Sequence, residues 1–299
     1  MGLSHIAVWG AAAAMLLGAC GESEPTAKAS SPAGPVQLMV AVQNSELLVG
    51  VDRINIALFD GNQRPLSGAR ATVQIQQAGA PAQTRPLQDI GPEYGNIPIY
   101  VGAARFPQVG AVTLLVRATL KDGRNVFGQA NALVTNKARE LPIGYKVPVL
   151  KQPILGDPGV KISDIDSGVP PDAWHSTTIA DGLAQHRPMV LYFGEPGFCK
   201  SRTCGPTVQV LQQLAQQVGD RLLFEHIEDH FPAGPDETGK DNPAFDGFGL
   251  QTDPWIYFVT STGVVSDRFE GPVTVDELRG AADGTLAGRV PAVDIPLGG

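Results

Sequence analysis

The sequence predicts two folded domains of different class, an all-β domain followed by an α/β domain, behind an N-terminal segment that belongs to neither. Three observations carry this. Residues 36–145 alternate apolar and polar side chains at a period near two and show no helical periodicity. Residues 171–299 instead alternate short apolar runs with stretches whose apolar residues recur at helical spacing. The cysteines of this 299-residue chain are three: Cys20 ends an apolar stretch, and Cys199 and Cys204 form a close pair in the second domain.

Residues 7–17 are almost wholly apolar, the length of a signal-peptide core and too short to span a bilayer. Small residues precede Cys20 in the run Leu17-Gly18-Ala19-Cys20. This ending resembles the lipobox of bacterial lipoproteins. The resemblance implies a signal peptide over 1–19, diacylglycerol on the Cys20 sulfur and anchoring at the cell envelope on the extracytoplasmic side. Two acyl chains give stable anchoring where one does not. No Lys or Arg precedes the apolar run, a departure from the usual signal. Residues 20–35, rich in Ser, Ala, Pro and Gly, read as a flexible tether. With 22 basic and 30 acidic residues the net charge is −8, which argues against nucleic acid as a partner.

In the first domain, strands are expected at Val36–Val42, Arg53–Phe59, Ala71–Gln76, Val112–Ala118, Asn125–Gly128 and Ala130–Val134. Asp60-Gly61 and Lys121-Asp122-Gly123-Arg124 supply turns. Short strands at this spacing predict a β-sandwich. The layout resembles bacterial immunoglobulin-like modules, which implies a spacer or interaction role. Residues 146–170, rich in Pro, Gly and Asp, read as a second linker.

In the second domain, Ser176–Ala184 reads as a short helix with polar N-cap candidates. Met189–Phe193 reads as a strand buried on both faces. Val208, Leu211, Leu214, Ala215 and Val218 mark a helix after the cysteines, and Arg221–Ile227 marks a strand. Asp253-Pro254 leads into Trp255–Val259; Thr262-Gly263 turns the chain into Val264–Gly271; Thr274 and Glu277 form a capping box for a last helix.

Helix, strand, helix, strand, loop, hairpin and helix, with two cysteines after the first strand, resembles the thioredoxin family. Phe193, Cys204-Gly205-Pro206, Asp253-Pro254 and Asp267–Gly271 match it in place. The whole is thus expected to be an all-β immunoglobulin-like sandwich followed by an α/β thioredoxin-like fold. Four residues separate the cysteines where the family has two, and Phe198 rather than Trp precedes the first. The resemblance implies a thiol–disulfide oxidoreductase acting on exported protein thiols or disulfides, without a cofactor. Cys199, Cys204 and a cis-configured Pro254 would be its catalytic residues, with Asp253 and Phe198 contacting substrate.

The dithiol has a physical reading of its own. A helix N-terminus favours a thiolate, and Lys200 and Arg202 between the cysteines add to this. The spacing lets the sulfurs bond to each other. A structural clip in an oxidising compartment is the bland alternative. Glu195, Glu225, His226, Glu228, Asp229 and His230 fall near strand ends on the cysteine rim, where a solvated face is expected. If a histidine reached the sulfurs, Cys199, Cys204, His226 and His230 would make a soft-metal site. That arrangement resembles copper-delivering thioredoxin-like proteins, so copper handling is the alternative function. A non-catalytic interaction lipoprotein is a third. His175 and His186 show no partner pattern.

Overall fold

The computed structural model describes residues 37–235, 240–292 and 297. The signal segment, Cys20 and the tether expected at 20–35 lie outside the described residues. None of the described helices is long and apolar enough to cross a membrane.

Eight strands build the first half: β1 Met39–Val42, β2 Leu47–Leu48, β3 Gly50–Phe59, β4 Arg70–Gln77, β5 Gln83–Asp89, β6 Ile99–Phe106, β7 Gly110–Thr119 and β8 Asn125–Thr135. Their order is β1-β3-β6-β5-β4-β7-β8-β2. Strand β5 turns the sheet back on itself. Its first part pairs with β4 (Ala71 to Leu87, Ile75 to Gln83) and its last residues with β6 (Gln88 to Val101, Asp89 to Tyr100). The curled sheet closes over one core as a β-sandwich. Val73 and Ile75 of β4, Val112, Leu114 and Val116 of β7, and Ile54, Ile56 and Leu58 of β3 meet there. Period-two alternation along β4 and β7 puts apolar residues inside and, apart from the buried Gln77 at the end of β4, their polar residues toward the outer face, as the pleat requires. Asn125–Gly128 and Ala130–Val134 join into the single strand β8. Strands β5 and β6 carry no clear sequence pattern; β5 is polar and holds Pro86, and β6 is diluted by Gly102, Ala103 and Ala104.

The second half contains α1 Ile179–Ala184, β9 Met189–Phe193, α2 Cys204–Val218, β10 Leu223–Ile227, β11 His230–Phe231, β12 Lys240–Asp241, α3 Pro243–Gly247, β13 Trp255–Val259, β14 Val265–Glu270 and α4 Val275–Leu286. Four strands form a mixed sheet in the order β10-β9-β13-β14. Strand β10 runs parallel to β9, and β13 runs antiparallel to both β9 and β14. Its central strands are buried on both faces. Val190 and Tyr192 of β9 and Ile256 and Phe258 of β13 face the core shared with α2 and α4. Met189, Leu191, Phe193, Trp255, Tyr257 and Val259 face a second core with Ile179 and Phe248. The expected capping box forms at Thr274, and of the polar candidates before α1 it is Thr178 that caps: each accepts from the backbone of the third helical residue, and each makes a reciprocal capping box.

The halves share a core. Ile90, Tyr94, Ile99 and Val101 of the sandwich pack with Leu211, Leu214 and Leu278 of α2 and α4. Tyr94, fully buried, donates to the Val273 carbonyl at 2.8 Å and accepts from the Val273 amide at 2.9 Å. Arg53 pairs with Glu277 at 2.8 Å and Arg268 with Glu46 at 2.7 Å. Residues 146–170, read as a linker, run along the α/β half: Val147 donates to the Gly263 carbonyl at 2.9 Å and Leu155 to the His175 carbonyl at 2.7 Å.

Candidate functional site

Cys199 and Cys204 are joined by a disulfide, with Cα atoms 6.0 Å apart. Strand β9 delivers the chain to the site, and the loop of residues 194–203 carries Cys199. Cys204 is the first residue of the 15-residue helix α2. Its position puts it in the first turn, where the backbone N–H groups have no partner within the helix. The two cysteines differ in access. Cys204 is fully buried, whereas Cys199 is partly exposed beside the exposed Phe198. The Ser201 hydroxyl lies 3.0 Å from the Cys199 sulfur. Arg202 occupies the left-handed region at φ 60° within the loop.

An Asp253 carboxylate oxygen lies 2.9 Å from the Cys204 sulfur. The Asp253–Pro254 peptide is cis. The buried Tyr192 hydroxyl donates to the Cys204 carbonyl at 3.0 Å. Burial, with Asp253 and other carboxylates adding to it, raises the Tyr192 phenol well above its ordinary range, so it stays a neutral donor. Cys199, Cys204, Asp253, Pro254 and Phe198 thus converge on one surface region. A cleft of about 530 Å³ on one side is lined by Phe198, Cys199, His230, Phe245 and Asp253. A second of about 570 Å³ reaches from Pro254 and Arg202 to Phe59, Ile97 and Pro98 of the sandwich.

The histidines do not join the sulfurs. The metal-competent group around the dithiol consists of Cys199, Cys204 and Asp253 among the described residues. His230 lines the first cleft but its Nδ1 is held by Glu195 at 2.8 Å. His226 is buried, with Nδ1 2.9 Å from Asp172 and Nε2 donating to the Gly194 carbonyl at 2.9 Å.

The expectation of a solvated face at the strand ends is corrected. Glu195, Glu225, His226 and Glu228 are all buried and Asp229 and His230 partly so; residues 152–178 supply partners to Glu225, His226 and Glu228, and His230 to Glu195. Gln152 and Thr177 bond Glu225, and the Ser167 amide bonds Glu228. Burial pushes Glu225 up to about 8 and raises Glu228 as well. The same stretch explains Gly197: a Cβ there would lie 2.5 Å from the Ser167 carbonyl oxygen.

Sequence reasoning missed the group behind this loop. Asp166, Asp172, His175 and His226 converge, all with buried side chains. Burial opposes ionisation of Asp172, but hydrogen bonds from His175 and His226 outweigh it and hold its carboxyl well below the usual range. Burial likewise opposes charge on His175, yet Asp166 and Asp172 raise it to about 9. The sequence singled out His226, but as a partner for the sulfurs, and no signal joined it to Asp166, Asp172 and His175.

No protein-family model matches the chain, and no curated protein matches it. Solved structures give partial likenesses. An engineered protein aligns at 15% identity over 33% of this chain, with a TM-score of 0.24, and this chain spans 20% of its length. CopC from Methylosinus trichosporium OB3b aligns at 14% identity over 33% of this chain and 92% of its own, with a TM-score of 0.24. The fibronectin(III)-like modules of Clostridium thermocellum CbhA align at 22% identity over 32% of this chain and 94% of theirs, with a TM-score of 0.19. Likenesses at these scores carry no argument about this chain.

Proposed function

We propose that this protein is a membrane-tethered, extracytoplasmic thiol–disulfide oxidoreductase whose α/β half is thioredoxin-like. The observation that carries the reading is the asymmetry of the dithiol: an accessible Cys199, and a buried Cys204 at a helix N-terminus with a carboxylate oxygen 2.9 Å away. The element order α1, β9, α2, β10, β13–β14 hairpin and α4 is the order the thioredoxin resemblance implies. The immunoglobulin-like reading of the sandwich rests on its layout of short antiparallel strands.

In the reducing direction, the Cys199 thiolate attacks a substrate disulfide. A Cys199–substrate bond forms and the first substrate thiolate leaves, taking a proton from solvent. The Cys204 thiol passes its proton to the Asp253 carboxylate, and its sulfur attacks Cys199. The intramolecular disulfide forms as the second substrate thiolate departs. Two electrons move from the protein dithiol to the substrate; the oxidising direction is the reverse. A purely structural clip of so short a loop would remove little chain entropy. Export and a lipid on Cys20 would place the site where disulfides persist.

The test is intermediate trapping. Cys204→Ser should accumulate a mixed disulfide through Cys199 with a disulfide-bonded substrate such as insulin. Cys199→Ser should trap none. Equal trapping by both variants, or by neither, refutes the assignment.

A further inference from the structure

Four side chains from two separated stretches of chain meet behind the dithiol loop. Three come from residues 166–175, and the fourth, His226, comes from β10. The His175 Nε2 lies 2.9 Å from an Asp166 oxygen and 3.1 Å from an Asp172 oxygen. The His226 Nδ1 lies 2.9 Å from Asp172 and 3.8 Å from the same Asp166 oxygen. A tetrahedral zinc site with bonds of about 2.0–2.1 Å has donor-to-donor edges of about 3.3 Å. The imidazole-to-carboxylate separations bracket that edge; Asp172 faces His175 with one oxygen and His226 with the other, and one donor atom from each of the four residues lies within 4.8 Å of the rest.

The donors are held for such a role. Asp166 accepts from the Gly168 and Asp172 amides, each at 2.7 Å, and Asp172 accepts from the Trp174 amide at 2.9 Å. His226 donates from its far nitrogen to the Gly194 carbonyl at 2.9 Å, which turns Nδ1 toward the carboxylates. Outer hydrogen bonds of this kind fix the tautomer and the orientation of metal ligands. The charge also balances. A bound cation would displace the protons that the carboxylates favour on the imidazoles, and two carboxylates with two neutral imidazoles then neutralise one divalent cation. The ion-pair partners of both carboxylates are these two histidines.

We infer that Asp166, Asp172, His175 and His226 form a structural site for one divalent cation of the zinc class, separate from the dithiol. Two nitrogen and two oxygen donors in a four-coordinate shell suit zinc and leave no open position for catalysis. The cation would bind as the chain folds, since the donors are enclosed. It would clamp residues 166–175 onto β10, and through Gly194 it would fix the start of the loop that carries Cys199.

The experiment uses the full chain in detergent, with the disulfide kept oxidised so that no thiolate is available. The chain is unfolded in denaturant with chelator and refolded with equimolar zinc or cobalt(II). The expected results are one zinc retained per chain after desalting, a higher Tm than the metal-free form, and the visible bands of tetrahedral cobalt without a thiolate-to-cobalt charge-transfer band. The Cys199→Ser/Cys204→Ser double variant should keep all three. Asp166→Asn and His175→Gln should each weaken zinc retention at least tenfold; circular dichroism reports whether they fold, and the wild-type cobalt spectrum decides if they do not. A refolded chain that holds no zinc overturns the inference and leaves a network of ion pairs. So does a thiolate band, or binding that vanishes only with the cysteines.

Discussion

Replacing Asp253 with Asn separates the two halves of the proposed exchange. The substitution keeps the shape of the side chain and removes its basicity and charge. The Asp253 oxygen lies 2.9 Å from the Cys204 sulfur, within reach for direct proton transfer. A positioned base contributes about 10²–10⁴-fold to such a step. Asp253 is only partly buried, so water can partly replace it, and the lower end applies. We expect resolution of the mixed disulfide at pH 7 to slow by about 10²-fold, which is about 2.7 kcal/mol on the barrier. Capture of substrate by Cys199 needs no proton transfer to Asp253 and should change little. The assay is rapid mixing of reduced protein with a disulfide substrate, acid quenching, and mass spectrometry of the free, mixed-disulfide and oxidised forms. The Asp253→Asn variant should accumulate the intermediate that wild type passes through. An unchanged resolution rate alongside slowed capture would remove Asp253 from the mechanism and return it to a surface role.

Tyr94→Phe deletes two buried hydrogen bonds to Val273 across the shared core and leaves its amide and carbonyl unpaired there; equilibrium unfolding should lose about 2–4 kcal/mol in a single transition, and a loss near zero or two separated transitions would refute cooperative docking of the halves. Burial, reinforced by neighbouring Glu46, raises Glu140 from 4.5 to about 7, and burial raises Asp267 from 3.8 to about 6. The folded state thus holds more protons than the unfolded state in this window. The stability these groups contribute is present below about pH 4 and is lost as pH rises toward 7. The urea midpoint should fall over that range and fall less in Glu140→Gln; an equal fall in both proteins contradicts the assignment. Cys20→Ala should abolish palmitate incorporation and membrane association, and normal processing in that variant would exclude lipid anchoring.

Features written in neighbouring residues were legible in the sequence. Alternation gave β4 and β7 because the pleat imposes period two on any half-buried strand. The Thr274 cap was legible because a capping box is closed by residues three apart, whereas at α1 the sequence offered several polar candidates and the structure selects Thr178. The Cys199–Cys204 pair, Asp253-Pro254 and the change from β to α/β grammar were equally local. What tertiary structure alone decided is where charge is buried. Glu225, His226 and Glu228 read as exposed strand-end residues, and they are enclosed because the Pro- and Gly-rich stretch before α1 folds over them. The 2.9 Å approach of Asp253 to Cys204 joins residues 49 apart, and the union of Asp166, Asp172 and His175 with His226 spans up to 60 positions (166 to 226). No local periodicity marks such groups, since the energy that holds polar side chains in a core comes from partners contributed by distant chain. The sequence therefore determined the strongly patterned elements and where sulfur sits, and packing determined that Asp253 stands beside the inner sulfur and that the acids and imidazoles gather in a separate buried group.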